Sequence, residues 1–187
     1  LLEPGYLGDS PVELTGAQAR IQLTNPFKTP VDYAGFLEFD GSSIRSPALK
    51  QNIRGLSGEV TLKPSRIQFN ELFGSFGRGN FQITGNLSHD TVLTEGNWNV
   101  DVSGADLPFS GFLPAQHRGY VNGRLDLDGM IRGKFREPVL TSEISSGQVK
   151  AGIFSFESIR GQLTVQPGSM KLSDLRAQLA GKDVFLE

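Results

Sequence analysis

Cysteine is absent from all 187 residues, which excludes disulfides and thiolate metal sites. A periplasmic chain lacks cysteine as readily as a cytosolic one, so the absence does not place the protein. No run approaches about 18 apolar residues, so no segment would span a bilayer as a helix. No charged-then-apolar leader follows Leu1, and the ends at Leu1 and Glu187 read as boundaries inside a larger polypeptide. Basic runs are missing too. Lysine and arginine number 18 against 20 acidic residues, a formal net charge of −2. They stand singly, as at Arg45, Lys50, Arg54, Lys63 and Arg66. A nucleic-acid partner leaves a clustered basic footprint, so none is expected.

What remains is an apolar surface of a particular kind. Hydrophobic residues are 37% of the chain and charged residues 20%, which is not the composition of a disordered segment. Thirteen Phe stand against one Trp and two Met, with 23 Gly between them. Apolar residues alternate with polar ones: Val31, Tyr33, Leu37 and Phe39; Val60 and Leu62; Ile67 and Phe69; Phe81 and Ile83; Trp98, Val100 and Val102; Leu125 and Leu127; Leu163 and Val165; Met170 and Leu172. Side chains two apart on a strand share a face, so each segment has one apolar and one polar side. No stretch carries a 3.6-residue period. The expectation is an all-β chain whose strands are wet on one face, since strands buried on both read as unbroken apolar runs. Gly and Pro punctuate the chain into about fourteen short strands. Asp106 to His117, with Pro108, Gly111 and Pro114, reads as an irregular loop.

The chain also repeats itself. Arg20 matches Arg124 at an offset of 104, and Ile53-Arg54-Gly55 matches Ile159-Arg160-Gly161 at 106. Ile67 matches Met170 and Leu72 matches Leu175, both at 103, and Pro30-Val31 matches Pro138-Val139 at 108. The order is kept while the offset drifts by a few residues. The implied organisation is a lead-in strand over 1–18, a first repeat over 19–85, an inserted hairpin (Val92 to Val102) and loop within 86–122, and a second repeat over 123–187. Repetition of one supersecondary unit implies stacking along an axis.

The run GRLDLDGMIRGKFREPVLTSEISSGQVKAG, Gly123 to Gly152, resembles the repeat of TamB and the wider AsmA-like envelope proteins. There a G-x-L-x-L-x-G strand, a Pro before the next strand and a Gly-terminated strand recur. IRGQLTVQPGSMKLSDLRAQLAG, Ile159 to Gly181, is similar to the family's amphipathic strand series. The first copy departs from the pattern, with Asn25-Pro26 where the Gly should close its first strand. The resemblance covers about two thirds of the chain and implies an elongated, twisted sheet of tandem repeats curled into an open, β-taco-like groove, or a related β-solenoid. It further implies a non-enzymatic lipid-transfer segment of an inner-membrane-anchored parent in the periplasm, or in the plastid intermembrane space for a chloroplast relative. Its partners would be phospholipid acyl chains and, through other parts of the parent, an outer-membrane barrel of the BamA/TamA kind.

On this reading the groove is lined by Leu37, Phe39, Val60, Leu62, Ile67, Phe69, Phe81, Ile83, Trp98, Val100, Leu125, Leu127, Leu163, Val165 and Leu172. Fourteen strands at about 4.8 Å each give a trough on the order of 65 Å. Each buried acyl CH₂ gains about 0.8 kcal/mol. A bilayer supplies the same term, so transfer is close to isoenergetic, which suits a conduit. Leu125→Asp or Val165→Asp is expected to weaken lipid loading and leave the sheet folded. The plainer alternative is that these residues pack on one another in a closed core.

Chemistry is sparse. His89-Asp90 suggests a solvated turn, and His117 beside Arg118 lacks companions at metal-ligand spacing, so no metal or cofactor is expected. Asp126 and Asp128 share a strand face, as paired carboxylates of a polysaccharide-cleaving enzyme do, but a polar outer face accounts for them. Glu143 and Glu157 have no partner fixed by spacing. Gly74-Ser75-Phe76-Gly77-Arg78-Gly79 lacks the strand-to-helix context of a phosphate loop. Ser110 is not in a nucleophile elbow, and Asn86-Leu87-Ser88 is a glycosylation acceptor only in a secretory setting. Three classes stand in order: lipid conduit, scaffold for translocation and assembly of envelope proteins, and carbohydrate-active solenoid.

Overall fold

The computed structural model describes residues 13–24, 32–45, 52–90, 95–111 and 119–186; Val31, Val92 and His117, and with them the Pro30-Val31 pairing, lie outside this set. The described residues form one sheet of eleven strands in chain order, each antiparallel to its sequence neighbours. The strands are β1 (Glu13–Thr24), β2 (Asp32–Arg45), β3 (Ile53–Lys63), β4 (Arg66–Phe76), β5 (Gly79–His89), β6 (Gly96–Pro108), β7 (Val121–Lys134), β8 (Glu137–Ala151), β9 (Phe154–Gln166), β10 (Ser169–Leu179) and β11 (Lys182–Leu186). A 3₁₀ turn, Phe109–Gly111, follows β6. The protein is all-β, and its sheet is open: β1 and β11 each have one neighbour. Hairpin connection in chain order separates this fold from a solenoid of parallel coils.

Fewer and longer strands are present than Gly and Pro punctuation suggests. Ten spacings of about 4.8 Å make the described sheet about 48 Å across its strands, shorter than the 65 Å expected. Within the described residues, glycine accounts for part of the difference. Many glycines lie at bulges within strands rather than in turns, as Gly41 does in β2 and Gly55 in β3. Asp106, expected in a loop, is likewise the bulge residue of β6, which continues to Pro108. The lead-in, repeat and insert boundaries at 18/19, 85/86 and 122/123 fall inside β1, β5 and β7.

Bulges recur with a common chemistry. Register shifts fall after Phe69 in β4, after Gly104 in β6 and after Ser173 in β10. Glu71, Asp106 and Asp174 sit there with φ of 47°, 58° and 53°. Asp, as at Asp106 and Asp174, tolerates this left-handed conformation better than most residues; Glu71 has no such advantage. Glu71 and Asp174 are 103 residues apart, the offset that relates Leu72 to Leu175. Each bulge adds a residue, bends the strand and raises local twist. It also switches the parity of the side chains that face one way.

Despite these switches, apolar residues stay in register across the sheet. One cross-strand row runs Ala19, Leu37, Val60, Phe69, Gly85, Val100, Ile131, Leu140, Val165, Met170, from β1 to β10. Directly opposed residues share a face, so the row belongs to one side of the sheet. Gly85 interrupts it for a steric reason. Its φ is +128°, and a Cβ there would lie 2.3 Å from the Asn99 carbonyl oxygen. Gly85→Ala is therefore expected to lower stability by at least about 2 kcal/mol, seen as a lower urea midpoint at unchanged m-value.

Candidate functional site

Among the described residues, the apolar face is an extended chemical feature. All fifteen residues expected to line a groove lie on it, linked by three cross-strand rows. Leu37, Val60, Phe69, Val100 and Val165 belong to the row above. Leu62, Ile67 and Trp98 form a second, through Leu87. Ile83 and Leu163 stand in a third that begins at Leu72, passes through Val102, Gly129 and Ser142, and ends at Leu172. Phe39 is two residues from Leu37 on β2. Phe81 and Leu127 face one another across Gly104, and Leu125 is two residues from Leu127 on β7.

Burial divides this face. Leu107, Leu125, Leu127, Leu140, Ile144, Leu163 and Val165 form one tight patch across β6 to β9. Phe39, Leu56, Val60 and Leu72 form another across β2 to β4. Half-buried Phe81 packs against both, so the two patches join. Val100, Leu125 and Leu163 are 2% exposed. No second layer covers them among the described residues, so the sheet itself must curl until side chains of next-but-one strands meet. Leu37, Leu62, Ile67, Phe69, Phe81, Ile83, Trp98 and Leu172 are only half-buried and keep surface available. The fifteen therefore divide in two, seven of them buried and eight half-buried.

Trp98 is the sole tryptophan. It stacks between Phe69 and Phe135, at 6.4 and 6.1 Å between ring centroids, and its indole N–H donates to the Phe135 carbonyl at 3.1 Å. This partner lets a polar tip sit on an apolar face. Ser142, 3% exposed, has an Oγ with no hydrogen-bond partner among the described residues.

Sequence periodicity missed Leu56, Leu72, Leu87, Leu107, Leu140, Ile144, Val149 and Ile159, all buried. Leu56, Leu72, Leu107 and Val149 lie just beyond a bulge, where the facing parity has changed. Leu140 and Ile144 keep simple alternation on either side of Ser142, and that spacing was available in the sequence.

The outer face is polar. Thr61, Gln68, Asn86, Asn99 and Arg132 oppose one another in turn. Arg132 pairs with Asp101 at 3.4 Å, an exposed contact worth little to stability. Asp126 and Asp128 are on this face, with Glu143 opposite Asp128, and Asp126 Oδ1 accepts the Asp106 backbone N–H at 2.8 Å. Glu157 is exposed opposite Gln148 and Gln178. His89, expected in a solvated turn, is 6% exposed at the end of β5, its Nδ1 2.6 Å from the Asp90 carbonyl oxygen. No group of three or more His, Asp or Glu among the described residues could hold a metal ion. Gly74 to Gly79 is the tip of the β4–β5 hairpin, with Gly77-Arg78 as its turn. No protein-family model, curated protein or solved structure matches the chain.

Two substitutions separate packing from surface. Leu125→Asp and Val165→Asp, expected from sequence to leave the sheet folded, place a carboxylate among side chains 2% and 8% exposed. An unpaired buried charge is expelled or unfolds its site, so both variants should lose cooperative thermal unfolding. Ser142→Ala removes an unpartnered hydroxyl and should be neutral or stabilising by about 1 kcal/mol, read as an unchanged or raised Tm.

Proposed function

We propose that this chain is a stretch of an inter-membrane lipid-transfer conduit of the TamB and AsmA-like kind, whose apolar face shields phospholipid acyl chains and so supports outer-membrane or envelope biogenesis. The observation that carries the reading is the apolar row in register from β1 to β10 on an open sheet. Val60, Val100, Leu140 and Val165 of this row are buried, and the surface left for a partner is its half-buried part, Leu37, Phe69, Ile131 and Met170. The half-buried Phe69, Phe81, Ile83 and Leu172 give an acyl chain flexible contact along the strip, with no closed pocket to hold it.

Energetics favour passage over storage. A half-covered chain gains several kcal/mol against water at about 0.8 kcal/mol per CH₂, and a bilayer gives the same. The described sheet, about 48 Å across its strands, exceeds a hydrocarbon core of about 30 Å and is short of an envelope, so a bridge needs more repeats in the parent. The parent's periplasmic placement, inner-membrane anchor and barrel partner belong to the same proposal.

The free edges of β1 and β11 favour a second reading, a scaffold that takes partner strands by β-addition. Native mass spectrometry after exposure to phospholipid vesicles separates the two. The conduit predicts bound phospholipid at reproducible stoichiometry, reduced severalfold in Ile83→Asp and Leu172→Asp, half-buried positions at the margins of the packed patches, in variants whose circular dichroism matches the wild type. A mass that stays free of lipid contradicts the conduit, and strand-mediated capture of protein in its place supports the scaffold.

A further inference from the structure

Three arginines that are far apart in sequence line one cavity of about 680 Å³. Arg54 comes from β3, Arg78 from the β4–β5 turn and Arg124 from β7. Asn52, Ser110, Asn122 and Asp106 complete its polar lining. The chain as a whole carries −2, yet among the described lining residues three guanidinium groups meet one carboxylate. By contrast, the cavity on the outer face of β7 to β10 sets Asp126, Asp128, Glu143 and Asp174 against Arg160 and Arg176. Of the two cavities, only the first has an excess of positive charge among its described lining residues.

Local structure builds the cavity. The Asp106 bulge is held by Asp126 on β7, which accepts the Asp106 N–H at 2.8 Å. Bending β6 there brings the Asp106 carboxylate onto Arg124, the pair that occupies the third arginine. Arg54 is set by the β3–β4 pairing, where Ser75 Oγ donates to its carbonyl at 3.0 Å. Arg78 is carried on a two-residue turn. Neither Arg54 nor Arg78 has a carboxylate within ion-pair distance among the described residues.

The cavity adjoins the apolar face. The 3₁₀ turn after β6 packs Phe109 into the larger apolar patch, and the next residue, Ser110, lines the cavity. Along β6 and β7, Leu107 and Leu125 of the patch alternate with Pro108 and Arg124 of the cavity, which puts Arg124 on the opposite face of the sheet from the patch, so the two communicate only around the strand ends. Phe76, packed on the same patch, is followed by Gly77 and Arg78 of the cavity. An apolar surface and a cluster of arginines with two lacking carboxylate partners thus meet at one end of the strands. Arginine binds phosphate oxygens through paired N–H donors and holds its charge at any physiological pH.

We infer that this cavity is an oxyanion site for a phosphate group, and that the phosphate is the headgroup of a lipid whose acyl chains lie on the apolar face. Arg54 and Arg78 supply the free donors, and Arg124, fixed by Asp106, shapes the wall. The lipid source rests on the conduit reading; the phosphate chemistry stands without it.

The test compares the wild-type protein with R54Q/R78Q and with R160Q/R176Q, which removes equal charge elsewhere. Circular dichroism checks folding, and an R54K/R78K variant keeps the charge should the glutamine pair misfold. Titration with inorganic phosphate at low ionic strength should lose affinity by at least about tenfold in R54Q/R78Q, the scale of a lost charge-assisted hydrogen bond, and be little changed in R160Q/R176Q. In detergent micelles, dioleoyl phosphatidylglycerol should load better than dioleoylglycerol, which has the same chains and no phosphate, and R54Q/R78Q should erase that preference. Equal phosphate affinity in wild type and R54Q/R78Q, or no phosphate binding at all, overturns the site. Phosphate binding that depends on the arginines, with equal loading of the two lipids, overturns the headgroup assignment and makes a soluble phosphate the ligand. If neither lipid loads while phosphate binding persists, the conduit reading fails and the oxyanion site stands.

Discussion

A sheet with one apolar face and, among the described residues, no second layer to lay against it buries that face by bending. This constraint organises the structure. Val100, Leu125 and Leu163 reach 2% exposure in a single layer, which a flat sheet does not allow. Curvature comes from bulges at Glu71, Asp106 and Asp174, where the backbone takes positive φ and the strand gains a residue and a bend. Ten spacings of such strands remain open at β1 and β11. Part of the apolar face is buried and part stays half-buried.

The same bulges decide how much the amino-acid order discloses. Within a stretch between bulges, period two holds: Val60 with Leu62, Ile67 with Phe69 and Leu125 with Leu127 all face one way, and all fifteen groove positions chosen on parity share a face. Across a bulge, parity changes, and Leu72, Leu107 and Val149 fall out of phase with the residues that reveal them. Glycine misleads in the complementary direction. Gly41, Gly55 and Gly85 sit inside strands, so punctuation by glycine overcounts strands and shortens them. The matched bulges at Glu71 and Asp174 show why the 103-residue offset is kept there: an extra residue at a bulge fixes register for everything beyond it.

The arginine cavity was not legible at all. Arg54, Arg78 and Arg124 are isolated in sequence, and isolation argued against any basic surface. Hairpin order puts Arg54 of β3 and Arg124 of β7 at the same end of their strands, and the Asp106 bulge directs Arg124 into the cavity; neither can be read from spacing. Conversely, Asp126, which resembled half of a carboxylate pair, is engaged by the β6 backbone. Its role is to hold a bend. Polar residues on this sheet are best understood by which bulge or turn they stabilise before any chemistry is asked of them.

The central claim is that acyl chains occupy the apolar face, and Trp98 reports on it directly. It is the only tryptophan, it lies on that face in register with Leu87, and Phe69 and Phe135 hold its ring. Fluorescence should be recorded with phosphatidylcholine brominated along the acyl chains, against the same lipid unbrominated. Acyl chains on the face place bromine beside the indole, so the account predicts strong quenching by the brominated lipid alone. Equal fluorescence with both lipids, at concentrations where lipid co-purifies with the protein, would put the chains elsewhere and contradict it.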